Sequence, residues 1–107
     1  MRTLKFIVED QILKADPSCD FNNLVPGTEN YLRAEFTFPK EWNGYVKIAA
    51  FFSPLGTEYD PQILKDGRSC IIPAEALVRR KFKIQVYGKN NDGQLKTNRL
   101  LVCQNGG

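Results

Sequence analysis

Between Asn30 and Phe52 the chain reads NYLRAEFTFPKEWNGYVKIAAFF, and its first half alternates without a break. Leu32, Ala34, Phe36 and Phe38 fall on one side, and Tyr31, Arg33, Glu35 and Thr37 on the other. A period of two belongs to a strand with one buried face, because successive side chains of a pleated strand point to opposite sides. Pro39-Lys40-Glu41-Trp42-Asn43-Gly44 then reads as a turn, and a second alternating run starts at Tyr45. The piece is expected to form two antiparallel strands of an all-β domain. Trp42, just past the first strand and beside Gly44, is expected to cap one end of the core.

The flanking segments keep the same rhythm. Leu4–Val8 and Gln11–Lys14, on either side of Glu9-Asp10, read as a hairpin or one bent strand. Asp16–Asn30, DPSCDFNNLVPGTEN, has loop or crossover composition, with Phe21, Leu24 or Val25 available to pin it to the core. Ser53-Pro54-Leu55-Gly56 is a turn signal. Thr57–Leu64 is at best an edge strand, since Pro61 cannot donate to a ladder. Asp66-Gly67 marks a tight turn and Ser69–Ile72 a short strand. Helical text is confined to Pro73–Val78, where Pro suits the first position and Glu75 the positive end. Phe82, Ile84 and Val86 alternate with polar residues, GKNNDG (Gly88–Gly93) is a hairpin turn, and Leu95–Cys103 is the last strand. The expected fold is a single domain over residues 1–107: an antiparallel β-sandwich, immunoglobulin-like in the loose sense. It would have about seven strands and one short helix near residues 73–79. A small closed barrel is the alternative.

With 107 residues, 42% hydrophobic and 25% charged, the composition is that of an ordinary globular domain. The chain has no histidine, so Ser-His-Asp and Cys-His sites are excluded and the usual base at neutral pH is missing. The carboxylates Glu9, Asp10, Glu58, Asp60, Asp66 and Glu75 sit in or beside turn-like segments, where solvated acids are the default. No phosphate-cradling glycine loop or EF-hand spacing occurs. The reading is non-enzymatic, with no cofactor or metal. Of the cysteines, Cys70 and Cys103 lie in apolar strand contexts and are expected buried, while Cys19 lies in a polar loop and is expected exposed. The net charge of +3 is mild, and neither nucleic acid nor a membrane is an expected partner. Ile48–Phe52, the longest apolar run, is too short to span a bilayer, and the N-terminus lacks signal-peptide character, so cytoplasmic residence is expected.

What remains is surface for contact. Tyr31, Arg33, Tyr45 and Lys47 read as outward strand positions, and Arg79-Arg80-Lys81 as the one basic run. These residues are the candidate partner-binding positions. The tyrosines Tyr31, Tyr45, Tyr59 and Tyr87 also suit sheet packing, a protein interface or stacking on a sugar.

The run N-Y-L-R-A-E-F-T-F, the W-x-G turn at Trp42–Gly44 and K-x-A-x-F at Lys47–Phe51 resemble a small module of phage and prophage tail and baseplate-type proteins of Gram-positive bacteria. Cys70-Ile71-Ile72-Pro73 before a short helix with Glu75, FKIQVYG at Phe82–Gly88 and Thr97-Asn98 extend the similarity to Asn30–Cys103. The resemblance implies an Ig-like sandwich and a virion structural or assembly protein associated with tail, baseplate or capsid. It would contact other virion proteins or itself, in the virion or the cytoplasm of the infected host. No catalytic residues carry over. A small phage-encoded inhibitor of a bacterial defence system, binding a host protein or a nucleotide signal, is a second expectation. A carbohydrate-binding module is a third, and it would need a cluster of exposed rings on one face.

Overall fold

The alternation at Leu32–Thr37 becomes a strand with Leu32, Ala34 and Phe36 buried and Arg33 and Thr37 exposed, in a computed structural model that describes residues 2–21, 24 and 32–104. That strand, β3, belongs to a first sheet with β1 (Arg2–Glu9), β2 (Ile12–Ala15) and β6 (Ser69–Ile71), in the order β2-β1-β3-β6. The second sheet holds β4 (Val46–Phe52), β5 (Gln62–Ile63), β7 (Lys81–Asn90), β8 (Gly93–Lys96) and β9 (Leu100–Cys103). One hydrophobic cluster draws on both sheets, including Phe6, Phe36 and Ile72 from or beside the first and Phe51, Ile84 and Val86 from the second. The architecture is therefore all-β and sandwich-like.

Among the described residues the strands number nine rather than about seven. The N-terminal segment is a true hairpin, Glu9 pairing with Ile12 across a turn in which Asp10 takes a left-handed φ of 55°. The expected last strand is divided into β8 and β9, which share one edge of β7 end to end. The division falls at Thr97. Its backbone N–H donates to the Val86 carbonyl, and its hydroxyl accepts from the Val86 N–H, each at 3.0 Å. Asn98 then turns its amide toward β2, accepting the Leu13 N–H at 2.7 Å and donating to the Leu13 carbonyl at 3.4 Å. A side chain thus mimics a strand partner and ties the edge of one sheet to the other.

The pairing is not wholly antiparallel. β1 and β3 run parallel, from Arg2 opposite Leu32 to Ile7 opposite Thr37. Parallel neighbours need a crossover of a dozen or more residues, and the Asp16–Asn30 stretch supplies that length. Leu24 within it is buried and Phe21 packs on the core, whereas Val25 lies outside the described residues. The short helix is a single turn, α1 (Ala74–Leu77), in which Ala76 and Leu77 are buried.

Trp42 ends a short 3-10 turn, Lys40–Trp42, and is 0% exposed. Its indole N–H donates to the Asp10 carbonyl at 2.8 Å. Its ring closes a row of aromatics, Phe21–Phe6–Phe36–Phe38–Trp42, with successive centroids 5.2 to 6.1 Å apart. This is the core cap expected of it.

The cysteines differ from expectation. Cys103 is exposed, because Phe82 pairs with Val102 on the inner face and leaves its neighbour Cys103 on the outer one. Cys19 is half-buried and its sulfur accepts the Lys5 N–H at 3.3 Å. Cys70 is half-buried, and burial, helped by the charge of Asp66, pushes its thiol up to about 12.

Candidate functional site

The register of the second sheet sorts its residues into two faces. Ala49 and Phe51 of β4 pair with Val86 and Ile84 of β7, and all of them lie in the core cluster. The intervening residues, Val46, Ile48, Ala50 and Phe52 on β4 and Lys83, Gln85, Tyr87 and Lys89 on β7, therefore form the outer face. On a two-layer protein that face meets solvent and is normally polar.

Half of this face is covered by the protein itself. Ala50 and Phe52 are buried because the Arg99 guanidinium lies 3.9 Å from the Phe52 ring centroid and Gln85 packs beside them. Gln85 Oε1 accepts from the Tyr87 hydroxyl at 2.9 Å and from Arg99 Nε at 3.3 Å, which fixes the cover in place.

The other half is not covered. Ile63, Ile48, Tyr87 and Lys96 stand directly opposite one another on β5, β4, β7 and β8, so they make one row across four strands. Ile63 is 59% exposed, and Val46, on the same face one step along from Ile48, is 57% exposed. A shallow concavity of about 210 Å³ runs beside the row, lined in part by Ile48, Pro61, Tyr87 and Lys89. Charge at the margin is mostly positive. Lys83, Lys89, Lys96 and Arg99 lie on this face, and the carboxylate that pairing places there among the described residues is Glu58, which bridges to Phe52. Among the described residues no carboxylate forms an ion pair with any of these cations.

The positions expected from the sequence are dispersed. Tyr31 lies outside the described residues. Arg33 is exposed on β3 and lines a separate hollow of about 380 Å³ with Lys65, Asp66 and Ser69. There the Asp66 carboxylate is held well below the usual range, first by the Ser69 hydroxyl at 2.7 Å and then by the Arg68 and Ser69 N–H groups. Tyr45 and Lys47 do not point outward. Both share the inward parity of Ala49 and Phe51, and Lys47 lays its ammonium 5.2 Å over the Phe38 ring while donating to the Tyr45 carbonyl at 3.3 Å. A lysine can occupy this place because it lies at the end of the sheet, where a long apolar stem is covered and the charge still reaches water. Arg79, Arg80 and Lys81 are exposed beyond α1, with Arg79 lining a third hollow of about 300 Å³ beside Pro54, Leu55 and Tyr59. Leu55 there is 97% exposed.

The described tyrosines do not gather on one face: Tyr45 lies by Trp42, Tyr59 packs on the core and Tyr87 stands in the outer row. The row itself went unread in the sequence. Its signal is present in VKIAAFF, where both parities are apolar although a one-faced strand needs only one.

Among the described residues no group of Cys, Asp and Glu is placed to hold a metal ion, and no helix is long and apolar enough to cross a membrane. No protein-family model matches the chain, and neither a curated protein nor a solved structure matches it.

Proposed function

We propose that this chain is a non-enzymatic assembly protein that acts through protein–protein contact, with the outer face of the second sheet as its contact surface. The observation that carries the reading is the row Ile63–Ile48–Tyr87 with Val46 beside it on regular strands, Ile63 and Val46 exposed and Ile48 and Tyr87 half-buried. Contiguous apolar surface of this kind favours association, each Å² removed from water contributing about 25 cal/mol. Side chains held by a sheet are already ordered, so binding loses little conformational freedom. The resemblance of Asn30–Cys103 to phage tail and baseplate-type modules supplies the setting: a virion structural or assembly component with an Ig-like fold.

The test is light scattering coupled to size-exclusion chromatography, on the purified chain alone and mixed with the structural proteins of the phage that encodes it. Wild type should enter a discrete assembly, and Ile63→Asp should stay out of it. If wild type and Ile63→Asp behave alike in every mixture, the reading fails.

A further inference from the structure

The contact reading, on which this inference rests, leaves two kinds of occupant for the outer face: a second copy of the chain or a different protein. We infer that the occupant is a different protein, whose matching surface places carboxylates around an apolar centre.

The argument is one of charge in register. Lys89 stands opposite Val46, Lys96 opposite Tyr87 and Lys83 opposite Phe52, so cations punctuate the apolar row along β7 and β8. Arg99 adds a fourth above Phe52, and among the described residues the acid that pairing sets against them is Glu58. A symmetric pair would apply this surface to itself, since a two-fold interface uses the same patch on both partners. Packed sheets lie about 10 Å apart, close enough to bring these ammonium groups into a shared, partly dry layer. Like charges juxtaposed in an interface are costly, and an unpaired ammonium loses its hydration there. A carboxylate-rimmed partner turns the same cations into ion pairs while its apolar centre fills the concavity beside Ile48 and Tyr87.

Two other occupants fit less well. A strand added beside the row has the two-residue β5, Gln62–Ile63, to extend, with Pro61 before it, while the opposite edge is split at Thr97 into the four-residue β8 and β9. A phosphate backbone would meet Lys89 and Lys96, but Val46, Ile48 and Ile63 lie between them and the edge and offer it nothing.

The probe is the chain itself with Lys89→Glu and Lys96→Glu, which gives the same apolar centre an acidic margin. Both lysines are exposed, and far-UV circular dichroism checks that the fold is kept. Light scattering should find wild type and the double variant each monomeric. An equimolar mixture at low salt should give a species of twice the mass. That species should vanish near 1 M salt, where the Debye length shrinks to about 3 Å. It should also be absent when wild type is replaced by Ile63→Asp. A wild-type dimer dissolved by Ile63→Asp overturns the inference and leaves the contact reading standing. A mixture of folded proteins that stays monomeric overturns the inference alone. Mixed dimers that persist with Ile63→Asp overturn both, because the charges would then attract without the face. Retention of single-stranded DNA by wild type, lost in the double variant, overturns the inference in favour of a nucleic-acid surface.

Discussion

Gly88 has no room for a side chain because Trp42 occupies the place: a β-carbon there would lie 2.9 Å from Cζ3 of the indole and 3.2 Å from Cβ of Tyr45. The glycine sits in the interior of β7, where its conformational freedom is a cost, and the ring that covers it is the return for that cost. A bare backbone lets the largest side chain of the protein pack directly against the strand and close the end of the core.

Gly88→Ala should destabilise by about 1–3 kcal/mol, through overpacking. Trp42→Ala should cost more, about 3–5 kcal/mol, since it empties the cap and removes the donor to the Asp10 carbonyl. The double variant should be less unstable than the sum of the two, because the new methyl then enters vacated space. Thermal unfolding of the four proteins closes the cycle, and strict additivity would mean that the two residues do not contend for the same volume.

Asn98→Ala leaves the Leu13 N–H and carbonyl without the amide that serves both. The expected loss is about 1–3 kcal/mol. Hydrogen exchange should locate it, with the Leu13 amide losing protection while the amides shared by β4 and β7 keep theirs. Equal acceleration across both sheets would show that the tie is not local.

Asp66 governs part of the acid stability. Its carboxyl is held below the ordinary value by Ser69 and Arg68, so the folded state binds its proton more weakly than the unfolded chain does. The stabilisation is complete above the unfolded value, about 3.9, and is lost as pH falls below it toward the folded value. Asp16, lowered by Ser18, acts in the same direction. Melting temperatures measured between pH 6 and pH 2 should fall less steeply for Asp66→Ala than for wild type. Parallel curves would remove Asp66 from the account.

Thiol chemistry should separate the cysteines. Cys103 is exposed on β9, whereas the Cys70 thiol is pushed up to about 12 and carries almost no thiolate at pH 8. Brief alkylation of the native protein at pH 8 should label Cys103 well before Cys70, with Cys70 reacting only in denaturant. Mass spectrometry of the digested protein reads the order directly, and early labelling of Cys70 would contradict its burial.

Much of the framework was legible because burial and pleat coincide. Leu32–Thr37 alternates in the sequence and in exposure alike, and Phe82, Ile84 and Val86 are buried as their spacing indicates, although Gln85 between them is buried too. Trp42 was readable as a cap, and Asp66-Gly67 as a turn, with Gly67 at φ 77°. Four features were not legible, each for a physical reason. The parallel match of β1 with β3 depends on how a crossover lies in space, and no local pattern encodes that. Lys47 points inward because parity is fixed by Ala49 and Phe51 further along β4, and only its place at the sheet end makes a lysine tolerable there. The division at Thr97 arises from hydrogen bonds to Val86 on another strand, which leave no mark in the spacing of apolar residues. The contact face escaped for a related reason. Ile63, Ile48 and Tyr87 become neighbours only through pairing, and each alone is an unremarkable strand residue.

The order of strands in the second sheet bears on how the protein is made. β4 precedes its long partner β7 by some thirty residues, and until Lys81–Asn90 has emerged it has the two residues of β5 and the bridge from Phe52 to Glu58 to pair with. At synthesis rates of about 5–20 residues per second, VKIAAFF waits roughly 2–8 s with the edge that β7 will take uncovered. During that interval pairing with another copy competes with folding, because an uncovered edge accepts a strand from either source.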